Sequence, residues 1–264
     1  MLSKQYDIDP NITRLLIVSD AHGFWQPIAA LEPQAELDDT TQVIFTGDLV
    51  CGGPWPREVT QWVMEHAGPL ALLGNHDVVM LKEGNPDHSP CTDTGAHHCL
   101  TKELREYVRS LPYRLELHWR DTRIVCWHGH VDENGDDVSW LLTPEEQSGA
   151  FPEPNADLCV LSHTHHPYVL SRGAGLVANT GSLSRVTAGV RRKDGMFLPS
   201  GKKAGEPDVR GSYLSVTKSN DGLDVDIIRF DFDREGAIAD LEQAGETNMD
   251  FHREWFRDGI VDWP

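Results

Sequence analysis

Apolar and polar positions along the first half of the chain follow a repeating order. Arg14-Leu15-Leu16-Ile17-Val18-Ser19 is a continuous apolar run, which predicts a strand buried on both faces. Gln42 to Thr46 and Pro69 to Leu73 repeat the pattern. Between these runs, Trp25 to Leu37 and Arg57 to His66 carry helical spacing, the second opened by Pro54 and Pro56 and closed by Gly68-Pro69. Strand, helix, strand, helix, strand predicts right-handed crossovers and neighbouring, largely parallel strands.

Lys82 to Cys99 is rich in Gly, Pro, Asp and His, and reads as a long loop expected to overhang a functional cleft. Thr101 to Leu111 predicts a helix with Leu104, Tyr107, Val108 and Leu111 on one face. Thr143-Pro144-Glu145-Glu146 reads as a helix start, with Thr at the N-cap, Pro at the first helical position and Glu at the third. Thr122 to Trp127, Asp157 to Ser162 and Leu176 to Asn179 read as strands, and Arg185 to Val209 as irregular. Ser212 to Lys218 and Leu223 to Phe230 predict a strand pair, and residues 232–264 a helical extension built on Glu235 to Ala244 and Asn248 to Phe256. With no repeat, low-complexity tract or linker, residues 1–264 read as one domain.

Composition narrows the function classes. With 264 residues, the chain is long enough to bury a sizeable core. Its 23 Lys and Arg against 42 Asp and Glu leave a formal charge of −19, which argues against a nucleic-acid polymer or an anionic membrane as partner. A small phosphorylated substrate stays open, because bound metal ions reverse the local field. No stretch approaches the roughly 20 apolar residues of a membrane span. Met1 to Asn11 has no basic start followed by an apolar run, so no signal peptide is expected. Five Cys without a C-x-x-C pair suit reduced thiols in a cytoplasm. The 13 His change the picture most.

Polar clusters follow the predicted strands directly. Asp20-Ala21-His22 follows the first, Gly47-Asp48 the second, Gly74-Asn75-His76-Asp77 the third, His128-Gly129 the fourth and His163-Thr164-His165 the fifth. In an α/β sheet the carboxyl ends of parallel strands converge on one crevice, where ligands bind. Carboxylates and neutral imidazoles delivered to one edge suit a divalent transition metal. Seven candidates, namely Asp20, His22, Asp48, Asn75, His128, His163 and His165, exceed what one ion takes. If Asp48 bridges, each of two ions draws four protein ligands, and such pairs serve phosphoryl chemistry.

The order D-x-H, G-D, G-N-H-D, H and H-x-H resembles the calcineurin-like metallophosphoesterase superfamily, and Asn179-Thr180-Gly181-Ser182 resembles the N-P-G-S turn of its small bacterial phosphodiesterase branch. The similarity runs from about Leu15 to Ser182. It departs from the motifs at Ser162, where the family has Gly, and at Thr180, where it has Pro; small backbone adjustments are expected there. The resemblance implies an α/β fold of two stacked β-sheets flanked by helices, a four-layer α-β-β-α arrangement. It implies one metal on Asp20, His22, Asp48 and His165, and a second on Asp48, Asn75, His128 and His163. His76 takes the place of the catalytic histidine that protonates the leaving oxygen, and Asp77 is expected to orient its imidazole. A shell of Asp, Asn and His accepts manganese, iron, zinc, nickel or cobalt, with manganese favoured.

The implied reaction is hydrolysis of a small phosphodiester or nucleotide by metal-activated hydroxide. A phosphomonoesterase of the protein Ser/Thr phosphatase or nucleotidase type is the alternative, followed by a metal-binding scaffold without catalysis. Ser/Thr phosphatases carry G-D-x-V-D-R-G, whose Arg grips a monoester dianion. Here the stretch reads Gly47-Asp48-Leu49-Val50-Cys51-Gly52-Gly53, so the Arg is missing and the diester is favoured. Arg185 and His130 are the candidate substrate contacts, and Cys51 reads as an inert thiol near the pocket.

Overall fold

The apolar run at the start of the chain forms strand β2 (Arg14–Val18), and its residues point alternately to two different cores. Leu15 and Ile17 pack between two sheets, and Leu16 and Val18 pack under helices. This division is the period of two expected for a strand covered on both faces. The computed structural model describes residues 2–82, 84–129, 144–151, 153, 155–192, 197–199, 208–219 and 222–263.

In chain order the elements are β1 (Ser3–Asp7), β2, α1 (Trp25–Ala35), β3 (Thr41–Phe45), α2 (Pro56–His66), α3 (Asn75–Met80), α4 (Asp93–Cys99) and α5 (Lys102–Ser110). The hairpin β4 (Arg114–Trp119) and β5 (Thr122–Trp127) follows, then α6 (Pro144–Ala150), β6 (Leu158–Leu161), β7 (Tyr168–Arg172) and β8 (Gly175–Asn179). The remainder is β9 (Gly189–Arg192), β10 (Phe197–Pro199), β11 (Gly211–Ser219), β12 (Gly222–Phe230), α7 (Arg234–Gln243), α8 (Met249–Asp258) and β13 (Ile260–Trp263).

Two mixed sheets stack face to face. One has the order β1-β4-β5-β6-β8-β7 and the other β12-β11-β2-β3. Leu15, Ile17, Ile44, Leu214 and Val216 of the second sheet meet Leu115, Leu117, Ile124, Leu158 and Val160 of the first. Outside the second sheet, Phe24, Ile28, Val59, Trp62, Leu104 and Val108 from α1, α2, α5 and the motif after β2 cover Leu16, Val18, Val43 and Phe45. Outside the first, Phe151 beside α6 packs on Cys159, Leu161 and Tyr168. The layers are helix, sheet, sheet, helix, as expected.

Several elements differ from the sequence pattern. The run Pro69 to Leu73 makes one bridge, Ala71 to Phe45, instead of a strand. Its ladder ends because Leu73 turns its N–H to the carbonyl of Pro112. The segment 82–99 is not all loop. Thr92 accepts a hydrogen bond from the Gly95 N–H, and this N-cap starts α4, which buries Gly95 and Ala96. The C-terminal extension holds α7 and α8 but ends in β13, which pairs in parallel with β9. Thus the region from 185 to 209 also contains strands, β9 and β10. Thr143, the expected cap of α6, lies outside the described residues.

Candidate metal centre

The edge that gathers the predicted site residues is built by loops that leave the carboxyl ends of β2, β3, β5 and β6. Their backbones are strained. Among the described residues, eight non-glycine positions have positive φ, and five of them are predicted ligands: Asp20 (55°), His22 (50°), Asp48 (58°), His163 (69°) and His165 (57°). Backbone strain of this kind persists where the surrounding structure over-determines it, and it gathers at functional sites. Gly74 shows how close the loops come. A Cβ there would stand 2.0 Å from Asp48 Oδ1, so only glycine lets the third motif lie against the second.

Two of the groups into which the donor atoms converge are buried throughout: Asp20, His22 and His165 form one, and Asp48, His128 and His163 the other, while His76 at the rim forms a further group with His22 and Asp48. In the first, His165 Nε2 is 3.1 Å and His22 Nε2 3.5 Å from Asp20 Oδ1. His22 Nε2 also lies 3.7 Å from Asp48 Oδ2. In the second, His128 Nε2 is 3.3 Å from Asp48 Oδ2 and 3.2 Å from Asn75 Oδ1. Asp48 therefore faces both groups, as a bridging carboxylate must.

Main-chain carbonyls orient three of these rings. His22 Nδ1 donates to Cys51 O at 2.9 Å, His128 Nδ1 to Thr46 O at 2.8 Å and His165 Nδ1 to Arg185 O at 2.6 Å. Each bond turns the Nε2 lone pair into the cleft, the outer-shell arrangement of metal-binding histidines. His165 is further fixed by stacking on Trp255 of α8, with ring centroids 5.2 Å apart. Asp20 Oδ1 is buried and has no hydrogen-bond donor among the described residues. Burial pushes His22 down to about 3 and lowers His165 as well, which keeps both rings neutral. Burial would do the same to His128, but the carboxylates of Asp48 and Asp20 outweigh it and lift that ring to about 10. Two groups of buried N and O donors, with a bare carboxylate oxygen and preset lone pairs, fit two divalent cations.

Asn179 to Ser182 supports this shell from behind. Ser182 and Ser184 both donate hydroxyl hydrogen bonds to Asp20 O, at 2.8 and 3.0 Å. The two departures from the motifs face each other: the Ser162 and Thr180 hydroxyls are 3.1 Å apart, and Ser162 Oγ lies 2.5 Å from Thr46 Oγ1. A buried hydroxyl chain occupies the space that Gly and Pro would leave.

His76 stands at the rim, at the start of α3. Its backbone N–H donates to Asp48 Oδ1 at 3.0 Å, and its ring centroid is 5.3 Å from that of His22. Asp77 does not hold its imidazole. The Asp77 carboxylate instead accepts from the N–H groups of Asp48, Gly74 and Leu49 at 2.9, 2.9 and 3.0 Å, clamping the second and third motifs together. Burial, reinforced by the Asp48 carboxylate, raises Asp77 to about 7. The acceptor for His76 Nδ1 is Asp93 Oδ1 at 2.9 Å, carried by α4. Cys51 completes this corner with a half-buried thiol. Burial works against a proton on His76, but the neighbouring Cys51, Asp48 and Asp93 raise its pKa well above the usual histidine value. Neither Asp93 nor Cys51 was legible as a neighbour of His76. The capping Thr92 was the one available signal that a helix, and not a loop, delivers Asp93.

Arg185 is buried, with its guanidinium 4.6 Å from the Trp255 ring centroid and 5.7 Å from that of Phe24. One of its terminal nitrogens donates to Cys51 O at 3.4 Å, and its Nε has no partner among the described residues. A Cβ on Gly52 would meet that guanidinium at 3.0 Å. Gly52 is the position at which Ser/Thr phosphatases carry Arg, so a cation reaches this place from the other half of the chain. His130 lies outside the described residues.

The chain belongs to the calcineurin-like phosphoesterase family, whose model matches residues 13–167. Enzymes of this family use divalent metal ions. Its curated relatives include the symmetrical bis(5'-nucleosyl)-tetraphosphatase of Klebsiella pneumoniae (strain 342), 39% identical over 67 residues, which are 25% of this chain and 24% of that protein. The enzyme of the same name from Coxiella burnetii (strain Dugway 5J108-111) is 28% identical over 147 residues, 53% of this chain and 49% of the relative. The chain thus spans half or less of the length of these relatives. A crystal structure of a metallophosphoesterase from Sphaerobacter thermophilus shares the fold, with a TM-score of 0.68 and 20% identity over 94% of this chain and all of that one. No helix among the described residues is long and apolar enough to cross a membrane.

Proposed function

We propose that this protein is a two-metal hydrolase of small phosphodiesters or nucleoside polyphosphates. The observation that carries the reading is Asp48, whose carboxylate lies against His22 on one side and His128 on the other, between two groups of oriented donors. Asp20, His22, Asp48 and His165 hold one ion, and Asp48, Asn75, His128 and His163 the second. Bound there, the ions supply Lewis acidity, lowering the pKa of water and neutralising phosphate oxygens. Manganese suits the all-N,O donor set, as do the other divalent ions of the first transition row. The names of the Klebsiella and Coxiella relatives support a nucleotide substrate.

The chain's own residues do the rest. His76 carries a proton on the rim of the centre and delivers it to the leaving oxygen. Asp93 is a positioning residue: its carboxylate fixes the His76 ring through Nδ1 and leaves Nε2 to face substrate. Asp77 acts one step further back, through the loops that present Asp48 and Asn75. Arg185 places a buried positive charge behind Cys51 and His22 and strengthens the site's hold on an anion. The five thiols are free, which supports a cytoplasmic location.

One observation favours the monoesterase as a second reading, namely the guanidinium of Arg185 lying against Gly52. Hydrolysis of an aryl phosphodiester, the matching monoester and a bis-nucleosyl tetraphosphate, each with manganese and then with chelator, decides. Chelator-sensitive turnover of the diester or the tetraphosphate above the monoester is expected. Faster monoester turnover assigns the phosphatase reading, and metal-loaded protein inert on all three overturns the hydrolase.

A further inference from the structure

Cys51, His76 and Asp93 come from three separate segments: the loop after β3, the first turn of α3 and the first turn of α4. Their thiol sulfur, imidazole nitrogen and carboxylate oxygen all lie within 4.8 Å of one another. Cys51 and Asp93 lie outside the ligand set built around Asp48, whereas His76 also comes within reach of His22 and Asp48. The corner is partly open, with the His76 side chain 32% exposed and that of Asp93 22%. An ion therefore reaches it from solvent without passing through the buried centre.

We propose that Cys51, His76 and Asp93 form a third metal site, which takes a thiophilic ion of the zinc class and arrests the enzyme by occupying the imidazole of His76. The donor set decides which ion binds. Thiolate with imidazole and one carboxylate is a zinc-type set, whereas hard manganese prefers the oxygen-rich groups at Asp20 and Asp48. Binding exchanges the S–H bond of Cys51 for a sulfur–metal bond and releases the proton to water. It also takes the place of the 2.9 Å hydrogen bond between His76 Nδ1 and Asp93, releasing the Nδ1 proton to water as well, so the ring loses its imidazolium charge, and with it the acid strength of Nε2–H, together with its orienting partner. The backbone already holds the thiol in place: Cys51 has a φ of 71°, and its carbonyl accepts from His22 Nδ1 at 2.9 Å. The inhibitory consequence rests on the phosphoesterase reading; the occupancy of the site does not, and is measured separately.

Cobalt is the probe for occupancy, because only a thiolate ligand gives cobalt(II) its near-ultraviolet sulfur-to-metal charge-transfer absorption. Sites around Asp48 contain no sulfur, so displacement of manganese there adds no such band. The manganese-loaded protein is titrated with cobalt, and the expected result is a charge-transfer band in the wild type that is missing from Cys51→Ser. A wild type without the band, or a band that persists in Cys51→Ser, overturns the site. Inhibition is then read with zinc added to the manganese enzyme, each variant compared with its own zinc-free rate. Cys51→Ser is expected to need more than about tenfold more zinc, since even an outer-shell partner is worth that much to a metal site. Equal zinc sensitivity in the two proteins, with the cobalt band present, overturns the inhibitory role and leaves the binding site standing.

Discussion

The Nε2 atoms of His22 and His165 face each other at 2.9 Å. Each ring donates its Nδ1 proton to a main-chain carbonyl, so in the neutral rings both Nε2 atoms present lone pairs to the same point. Two lone pairs at that distance repel, and the Asp20 carboxylate beside them adds to the repulsion. A divalent cation removes this conflict, so metal binding is coupled to stability. Manganese at about 100 times its dissociation constant is expected to stabilise the chelator-stripped protein by about 2.7 kcal/mol, raising Tm by about 5–10 °C. A melting curve indifferent to chelator contradicts the arrangement.

His76→Ala is expected to keep both metals and to lose about 10²–10⁴-fold in kcat, the range for one acid–base group. Asp93→Asn keeps the ring but not its acceptor, so it is expected to lose less. Both losses are expected to shrink for substrates with good leaving groups, which need no proton. Rates across a series of aryl esters check this. A loss that is the same for every leaving group assigns His76 to charge stabilisation instead.

Gly74→Ala tests the close approach of the motifs. The added methyl group would stand 2.0 Å from Asp48 Oδ1 and 2.4 Å from its backbone nitrogen. Relief requires moving a ligand loop, at a cost of about 1–3 kcal/mol. Lower Tm together with reduced metal content, measured by elemental analysis, is expected. Unchanged metal content in a stable variant contradicts the packing.

Far from the site, Glu116 lies between Arg114 and Arg123 at 2.7 and 2.9 Å. The Arg123 guanidinium, helped by Arg114 and opposed by burial, holds its carboxyl down to about 2. The unfolded value is higher, so this contribution to stability is fully present above about pH 4.5 and is lost as pH falls through 2. Glu116→Gln is expected to flatten that part of the profile of Tm against pH. Parallel profiles for the two proteins contradict the ion pairs.

The parts of the molecule that sequence revealed are those where local chemistry and fold coincide. Arg14–Val18 reads as a doubly buried strand because its alternate residues feed two apolar cores, and that needs an unbroken apolar run. The order of the candidate ligands was legible because the loops after β2, β3, β5 and β6 and the bridged run before Gly74 bring their polar clusters to one edge. The partner of His76 was not legible. Asp77 is adjacent in sequence, but the turn that opens α3 points its carboxylate back toward the N–H groups of Asp48, Leu49 and Gly74. Asp93 arrives instead from 17 residues away, by packing that no local pattern encodes. Arg185 was expected near substrate from its place after the Asn179 turn. Its burial between Trp255 and Phe24 depends on α8, whose docking the sequence left open. β1 and β7 are half-exposed edge strands with weak apolar alternation and β13 is short, and they were missed for that reason.

The central claim is that two ions share Asp48 and that both are needed for hydrolysis. It is tested most directly by adding manganese stepwise to the chelator-stripped protein and following the rate on a phosphodiester or bis-nucleosyl tetraphosphate. The account predicts a rate that climbs until two equivalents are bound in the wild type, and Asp48→Asn protein that retains neither ion nor activity. Full activity in the stripped protein, saturation at a single equivalent, or near-normal metal content in Asp48→Asn would contradict it.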